Sequence, residues 1–317
     1  MKKVLKIIGI VFLVIIVIIL ILFLILSKRP AVPTDYIKTT KTNGEIESRY
    51  MAKGDYDVSY IENMAMSSFK KYEIYYPACM TESTEKFPVV IFVNGTGVKA
   101  SKYPALMEHL ASYGFICIGT EEEYAWNGFA AEMCVRLINK LNDNESLEGY
   151  NDKETGTNPF YNHIDLNNVG ITGHSQGGVG VANAVTVMEH KDIFKTAVML
   201  SPTNKTLATA LEWDYNPSLI TIPIFLMSST GQSDENLVVN LKGMEEIYNS
   251  IPDSVTKVMA RRNDADHGYM LYYADGYVTA WFCWQLQGDE EASKAFVGDT
   301  PELITNSLYQ DQHFNIK

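Results

Sequence analysis

The chain has 317 residues, and its 26 Lys and Arg against 38 Asp and Glu give a formal net charge of −12. Residues 1–29 hold five basic residues and no acidic one, so the remainder carries 21 basic and 38 acidic residues. Nucleic acid is therefore not expected as a partner. Four scattered cysteines exclude a disulfide scaffold but leave one bridge open, and no motif for a metal or another cofactor is present.

A long apolar run begins the chain. Residues 7–26 contain no charge and are nearly all Ile, Leu, Val or Phe, which is long enough to cross a ~30 Å hydrocarbon core at ~1.5 Å per residue. A cleaved signal peptide usually has a shorter apolar part that ends in small residues. Residues 1–29 are therefore predicted to be a single-pass signal anchor in the cell membrane, with the rest of the chain extracytoplasmic. Secretion after cleavage is the alternative.

The next segment, residues 30–50, is rich in Lys, Thr and Asn and has no apolar period, which predicts an extended linker. Residues 51–317 fit one domain in which strand-like runs alternate with helical patterns. This alternation is typical of an α/β fold with a mostly parallel, doubly wound sheet and helices on both faces. Strands are predicted at 72–76, 87–93, 114–118, 168–172, 195–200, 222–227 and 256–260, and helices at about 103–112, 126–142, 178–190, 236–249 and 270–286.

A glycine-rich turn joins the fourth predicted strand to the helix that follows it. Gly173-His174-Ser175-Gln176-Gly177 matches the nucleophile elbow, a strained strand-to-helix turn that exposes a serine hydroxyl. The free N–H of Gln176 at the helix start would face an oxyanion that forms beside Ser175. An ordinary glycine-rich turn is the alternative.

A nucleophilic serine of this kind is followed along the chain by an acid and then a histidine, each after a strand. Asp234 and His267 have these positions, whereas the other five histidines lie in helical patterns, loops, the tail or the elbow itself. Glu235, Asp264 and Asp266 are alternatives for the acid, and Asp234 has the best position among them.

A second oxyanion donor is expected after the apolar run at 87–93. Asn94-Gly95-Thr96-Gly97 follows this run, and the N–H of Thr96 can pair with that of Gln176. Asn94-Gly95-Thr96 is also a glycosylation sequon, but a glycan there would block the site.

The order of these parts resembles the α/β-hydrolase superfamily. Within it, the chain is similar to the chlorophyllase-like and polyester-degrading (PET hydrolase and cutinase-like) branch, with dienelactone hydrolases more distant. The similarity runs from about residue 72 to about residue 296. It is carried by residues 89–97 and 110–118, the elbow, Asp266-His267-Gly268 and the C-terminal stretch 280–298.

The resemblance implies a role for each candidate residue. Ser175 would be the nucleophile, His267 the base and Asp234 the acid, with the N–H groups of Thr96 and Gln176 as oxyanion donors. No large cap domain is expected, because only about twenty residues separate the strands at 195–200 and 222–227.

Three positions depart from the polyester hydrolases. These enzymes usually have an aromatic residue where Thr96 stands, a methionine where Gln176 stands and a tryptophan near residues 200–203. The departures speak against a polyester substrate. A dienelactone hydrolase would have cysteine at position 175.

The sequence therefore predicts a membrane-anchored, extracytoplasmic serine hydrolase that cleaves carboxylic esters through an acyl-enzyme on Ser175. Its substrate would be a small-molecule or lipid-like ester, with no cofactor. Acyl transfer to a cell-envelope acceptor and a non-catalytic binding protein on the same fold are the alternatives.

Overall fold

Nine strands form a single sheet in the part of the chain that the structure describes. The structure is a computed structural model and describes residues 29–64, 69–153 and 155–317. The strands lie in the order β1-β2-β4-β3-β5-β6-β7-β8-β9. In chain order they are β1 (Val58–Met64), β2 (Lys71–Pro77), β3 (Phe87–Val93), β4 (Ile116–Thr120), β5 (Ile164–His174), β6 (Phe194–Leu200), β7 (Ile224–Ser229), β8 (Lys257–Arg262) and β9 (Tyr309–Asn315).

Helices cover both faces of the sheet. Within the described residues the α-helices are α1 (Tyr36–Thr39), α2 (Glu45–Met51), α3 (Pro104–Ala111), α4 (Phe129–Asp143), α5 (Gln176–Thr186), α6 (Lys205–Ala210), α7 (Leu241–Ser250), α8 (Asp275–Gln287), α9 (Glu290–Ser293) and α10 (Glu302–Thr305). Short 3-10 turns span Ala78–Glu82, Ala100–Lys102, Lys191–Ile193, Pro217–Leu219 and His267–Leu271, and a π-helical turn spans Asp234–Val238.

The central strands send alternate side chains into two hydrophobic cores. In β3, Val89 and Ile91 belong to one core, whereas Val90 and Phe92 belong to the other, as the two-residue period of a strand requires. Helices α4, α5 and α7 cover the first core, and α3 and α8 cover the second. Every residue of β3 is buried because helices cover both faces, which explains its continuous apolar sequence.

Strands β3 to β8 are parallel to one another, which confirms the predicted mostly parallel α/β sheet. Within the sheet, β4 lies on one side of β3, and β5, which follows β4 in the chain, lies on the other side. The carboxyl end of β3 therefore lies where the strand order reverses, the place where open α/β sheets form ligand sites. Between β6 and β7 only α6 and one 3-10 turn occur, without a large cap. The arrangement is consistent with an α/β-hydrolase fold.

Two edge strands were not predicted from the sequence. Strand β1 pairs antiparallel with β2, and β9 pairs antiparallel with β8. Most residues of β9 are polar and partly exposed. An edge strand needs no continuous apolar run, since one of its sides has no strand partner, and hydrophobic patterning therefore does not detect it.

The prediction of an extended linker at residues 30–50 is not what the structure shows. This segment contains α1 and most of α2 and packs against the second core, where Tyr36 is 1% exposed. The backbone N–H groups of Ile46 and Glu47 donate to the Glu302 carboxylate at 2.7 and 2.9 Å, which caps the start of α2. The order of this segment thus depends on partners far away in the sequence, so composition alone could not predict it.

The predicted membrane span, residues 7–26, lies outside the described residues. Among the residues that are described, no helix has the length and apolar character needed to cross a bilayer. The four cysteines are free thiols: Cys79 is exposed, and Cys117, Cys134 and Cys283 are buried.

Candidate functional site

Ser175 occupies a sharp turn between the end of β5 and the start of α5. Its backbone angles, φ 59° and ψ −123°, lie in a region that residues with a side chain rarely adopt. A Cβ atom on Gly173 would lie 2.4 Å from the carbonyl oxygen of Gly177, so a glycine is required at that position. Ser175 thus has the strained strand-to-helix geometry of a nucleophile elbow.

The structure brings His267 and Asp234 together, although 33 residues separate them in the sequence. Asp234 begins the π-helical turn after β7, and His267 begins the 3-10 turn after β8. The Nδ1 atom of His267 lies 2.7 Å from Oδ1 of Asp234. The Asp234 side chain is fully buried, whereas that of His267 is 20% exposed. The carboxylate therefore holds the imidazole ring from its buried side and leaves Nε2 for contact with a substrate or a nucleophile.

The second carboxylate oxygen of Asp234 accepts three hydrogen bonds. Ser201 Oγ donates to Oδ2 at 2.6 Å, and the backbone N–H and Oγ of Ser229 donate at 2.9 and 2.5 Å. Burial raises the pKa of the Asp234 carboxyl, but the hydrogen bond and positive charge of His267, together with the two serines, outweigh burial and lower the pKa below its usual value. Asp234 is therefore ionised at neutral pH.

Ser201 and Ser229 were not predicted as site residues. The sequence contained a weak indication of their role, because each is a polar residue at the carboxyl end of a buried strand. Side chains at these ends converge on the site.

The three alternative acids occupy other positions. Glu235 forms an ion pair with Arg261, and Asp264 is exposed. Asp266 accepts hydrogen bonds from the backbone N–H groups of Ser233 and His267 at 2.9 and 2.8 Å. Asp266 thus joins the loop of the acid to the loop of the histidine, and of the four acids only Asp234 reaches the imidazole.

His174, which the sequence suggested was only part of the turn, contacts His267. Its Nε2 lies 2.7 Å from the His267 carbonyl oxygen, and the two ring centroids lie 4.4 Å apart. Because a carbonyl only accepts, Nε2 of His174 carries the proton. Burial, followed by the nearby His267, lowers the pKa of His174 to about 3, so this ring is neutral. His174 thereby links the elbow directly to the histidine loop.

The loop after β3 lies against the elbow. A Cβ atom placed on Gly95 would lie 3.1 Å from the carbonyl oxygen of His174 and 3.5 Å from Cβ of Ser175. Thr96 is exposed and its N–H donates to no other backbone group among the described residues, and Gln176 is the first residue of α5, where an N–H has no partner within the helix. Neither predicted donor therefore uses its N–H in a bond to another backbone group of the described residues.

Asn94 has a structural role in this loop. Its side chain is buried, and its amide nitrogen donates to the carbonyl oxygens of Thr120 and Glu122 at 2.6 and 2.8 Å. These bonds join the loop after β3 to the loop after β4. They also leave no room for a glycan, in line with the discounted sequon.

A small apolar cleft with a cavity volume of about 30 Å³ lies beside the elbow. Gly95 and His174 line it at the elbow, and apolar residues of β3, α3 and the 3-10 turn after His267 complete it. Its mostly apolar lining suits an apolar group of a ligand.

Among the described residues, one cluster has the ligand types of a metal site: Glu132, Glu189 and His190. The Arg136 guanidinium already bonds both carboxylates, at 2.7 Å to Glu132 and 2.6 Å to Glu189. This side chain supplies the positive charge that the carboxylates need, so the cluster is best described as an ion-pair network.

Comparisons with known proteins identify a family and two relatives of this chain. A family model described as PETase, PET hydrolase-like, matches residues 40–311. Bis(hydroxyethyl) terephthalate hydrolase of Streptomyces coelicolor is 23% identical over 219 residues, which are 68% of this chain and 61% of that protein. Cutinase est1 of Thermobifida alba is 26% identical over 196 residues, 61% of this chain and 56% of that protein.

The aligned part of this chain spans about three fifths of the length of these curated relatives. The family match is broader, because it extends from the residue after α1 into β9 and includes the elbow, the histidine loop and the acid loop. The chain therefore belongs to the PET hydrolase-like family.

Proposed function

We propose that this protein is a membrane-anchored, extracytoplasmic serine hydrolase that cleaves carboxylic esters through an acyl-enzyme on Ser175. The observation that carries the proposal is the 2.7 Å contact between His267 and the buried Asp234, next to a serine in elbow geometry. A structural histidine would not need a neighbouring serine in a strained backbone conformation.

In this mechanism His267 is the general base. Its Nε2 takes the proton from the Ser175 hydroxyl as Oγ attacks the ester carbonyl carbon. Asp234 holds the proton on Nδ1 and stabilises the imidazolium that forms. The Ser175 hydroxyl has no hydrogen-bond partner in the described part of the chain, and we expect its contact with His267 to tighten when substrate binds.

The N–H groups of Thr96 and Gln176 stabilise the negative charge on the carbonyl oxygen of the tetrahedral intermediate. The intermediate collapses when the alcohol leaves with the proton from His267, and the acyl group stays on Ser175. Water then attacks the acyl-enzyme with His267 again as base, which releases the acid and restores the serine.

The relatives support an ester substrate. One is named for bis(hydroxyethyl) terephthalate and the other is a cutinase. Thr96 and Gln176 replace the aromatic and methionine side chains expected of polyester hydrolases, and the cleft beside the elbow is small. We therefore propose a small-molecule or lipid-like ester as substrate.

The proposed location at the membrane rests on the sequence. The apolar residues 7–26 support a membrane anchor, and the basic residues before them favour a cytoplasmic N-terminus. The folded domain would then work on the outer side of the membrane.

The experiment is to purify the full chain in detergent micelles and measure hydrolysis of p-nitrophenyl acetate, butyrate and octanoate, together with labelling by a fluorophosphonate. We expect turnover and labelling in the wild type, and the loss of both in Ser175→Ala. Ser218→Ala is the matched control, because Ser218 is exposed and should not affect either signal.

A folded wild type that neither hydrolyses the esters nor reacts with the probe would overturn the proposal in favour of a binding protein. Labelling that persists in Ser175→Ala would place the nucleophile elsewhere.

A further inference from the structure

The described chain starts at the active-site edge of the sheet. The N–H of Ala31 donates to the carbonyl oxygen of Lys102 at 2.6 Å, and Nζ of Lys102 reaches the carbonyl oxygen of Arg29 at 3.5 Å. Lys102 ends the 3-10 turn that follows the proposed oxyanion loop. In the same turn, the N–H and Oγ of Ser101 donate to the carboxylate of Glu121, just after β4, at 3.0 and 2.9 Å. Residues 29–31 therefore lie at the carboxyl ends of the strands, where Ser175 also lies.

From this edge the chain runs along α3 and is fixed to the domain by buried polar contacts. Tyr36 donates to Asp275 of α8 at 2.5 Å, and the carbonyl oxygen of Ala52 lies 2.7 Å from Nε2 of His109 on α3. The fully buried carboxylate of Glu47 lies 2.6 Å from the guanidinium of Arg262. A segment with these contacts does not act as a flexible tether.

A rigid attachment limits how far the domain can move from the membrane. The predicted span ends at Leu26, and Ala31 is already bonded to the domain. Five residues cover at most about 18 Å, since an extended chain advances roughly 3.3–3.6 Å per residue. The active-site edge at Lys102 therefore cannot turn away from the bilayer as it could on a twenty-residue linker.

Basic side chains of this corner are suited to contact an anionic lipid surface. Arg29, Lys99 and Lys102 lie close together in the fold and Lys28 precedes Arg29 in the sequence, although Glu121, Glu122 and Glu123 follow β4 nearby and the chain as a whole carries −12. The acidic Glu123 of the neighbouring loop is paired with Lys70 at 3.1 Å and lies 3.8 Å from Lys99. Basic side chains beside a membrane span attract anionic headgroups.

Apolar side chains are exposed at the same edge. They are Tyr124 and Phe129 after β4, Leu237 after β7 and Tyr269 after β8, with 58%, 54%, 65% and 48% of their surface exposed. Large apolar and aromatic groups next to basic residues are typical of surfaces that lie at a lipid–water interface.

We propose that the folded N-terminal segment holds the active-site edge against the bilayer surface, so that the enzyme takes ester-bearing amphiphiles directly from the membrane. The inference rests on the membrane anchor and ester hydrolysis of the proposed function. It adds the orientation of the site and the substrate class.

The orientation can be measured without activity. The full chain is placed in nanodiscs of phosphatidylcholine and phosphatidylglycerol that contain a lipid with an acceptor fluorophore. In a Cys79→Ser background, which removes the exposed thiol, a donor is attached to Tyr124→Cys at the active-site edge. The matched control is Asp192→Cys, whose side chain is 91% exposed and lies before β6 at the opposite edge. We expect energy transfer at least several-fold more efficient from position 124, and equal transfer from the two positions would overturn the proposal.

The consequence for substrate can be tested by a flexible insertion. Twelve Gly and Ser residues between Lys28 and Arg29 would restore the freedom of a tether, at about 20 Å of average reach. We expect hydrolysis of p-nitrophenyl palmitate embedded in the nanodisc to fall several-fold, with hydrolysis of soluble p-nitrophenyl acetate unchanged. Equal hydrolysis of the embedded ester with and without the insertion would contradict the proposal.

The two measurements separate failure of this inference from failure of the proposed function. A wild type that hydrolyses neither ester would contradict the proposed function, whereas the energy transfer would still decide the orientation. If the insertion variant alone loses hydrolysis of both esters, the insertion has damaged the domain. The energy transfer of the wild type would then decide the orientation.

Discussion

Among the described residues, two of the histidine–carboxylate pairs with a separation of 2.7 Å have instructively different surroundings. Nδ1 of His267 lies 2.7 Å from Asp234, and Nδ1 of His109 lies 2.7 Å from Asp275. In both pairs the carboxylate is buried. The His267 side chain is 20% exposed, however, whereas that of His109 is only 2% exposed.

The two pairs differ in the surroundings of Nε2, the ring nitrogen farther from the carboxylate. Nε2 of His109 lies 2.7 Å from the carbonyl oxygen of Ala52, so both nitrogens lie beside groups that only accept, which favours the charged ring. Burial disfavours this charge, but the Asp275 carboxylate outweighs burial and raises the pKa of His109 above its usual value. Nε2 of His267 has no partner among the described residues. A histidine–carboxylate pair can therefore serve catalysis only when its second nitrogen is free to exchange a proton.

The largest effect is expected from Asp234→Asn. Oδ2 accepts from Ser201 and Ser229, so the amide oxygen would take that place and the NH₂ group would face Nδ1 of His267. The ring proton would then move to Nε2, which could no longer take the proton of Ser175. We expect kcat for p-nitrophenyl butyrate to fall about 10⁴-fold with the fold retained, as measured by steady-state kinetics and circular dichroism.

Glu235→Gln is the matched control, because Glu235 pairs with Arg261 and not with the histidine. Normal turnover in Asp234→Asn, combined with a loss in Glu235→Gln, would reassign the acid.

The same change in the other pair should affect stability instead of turnover. Asp275→Asn leaves the buried His109 without its counter-ion, and breaking one partner of a buried ion pair costs about 3–5 kcal/mol. We expect the free energy of unfolding in urea to fall by this amount, with kcat unchanged under folding conditions. A loss of kcat comparable to that of Asp234→Asn at unchanged stability would show that the two pairs are not separate.

The charge of His109 also predicts how stability depends on pH. A pKa that is raised in the folded state stabilises the fold fully below the unfolded pKa of about 6.5, and this contribution is lost as pH rises through the higher folded value. Tyr36 and Tyr113 also face the ring, but burial raises the pKa of both, so they stay neutral in this range. We expect the melting temperature to decline with rising pH above neutrality, and this component to disappear in His109→Gln. The same pH dependence in wild type and variant would rule out His109 as its source.

The parts of the molecule that were predicted well from the sequence are marked by short, local sequence patterns. The strand at β3 is a continuous apolar run, and the elbow around Ser175 is a short glycine motif between a strand and a helix. The positions of Asp234 and His267 follow from the rule that site residues come after parallel strands. All of these can be recognised within about ten residues of chain.

The parts that were missed depend on partners far away in the sequence. Glu47 reaches Arg262 across 215 residues, and the start of α2 is capped by Glu302. The contact of His174 with the His267 carbonyl is also set by the fold, since nothing in the elbow motif indicates where its side chain points. Composition described residues 30–50 correctly as polar, but it contains no information about these contacts.

The smallest effect is expected from His174→Phe, which keeps a ring beside His267 and removes the donor to its carbonyl oxygen. A hydrogen bond between neutral groups contributes about 0.5–1.5 kcal/mol, which corresponds to a roughly 2- to 13-fold lower kcat if the bond serves to position His267. KM should stay the same, because a contact to the backbone of His267 acts on the geometry of the base. The pKa of His174, about 3, means that this bond persists throughout the working range of pH. Unchanged kcat would show that the bond from the His267 N–H to Asp266 suffices to hold the histidine loop, whereas a change in KM alone would place His174 in substrate binding.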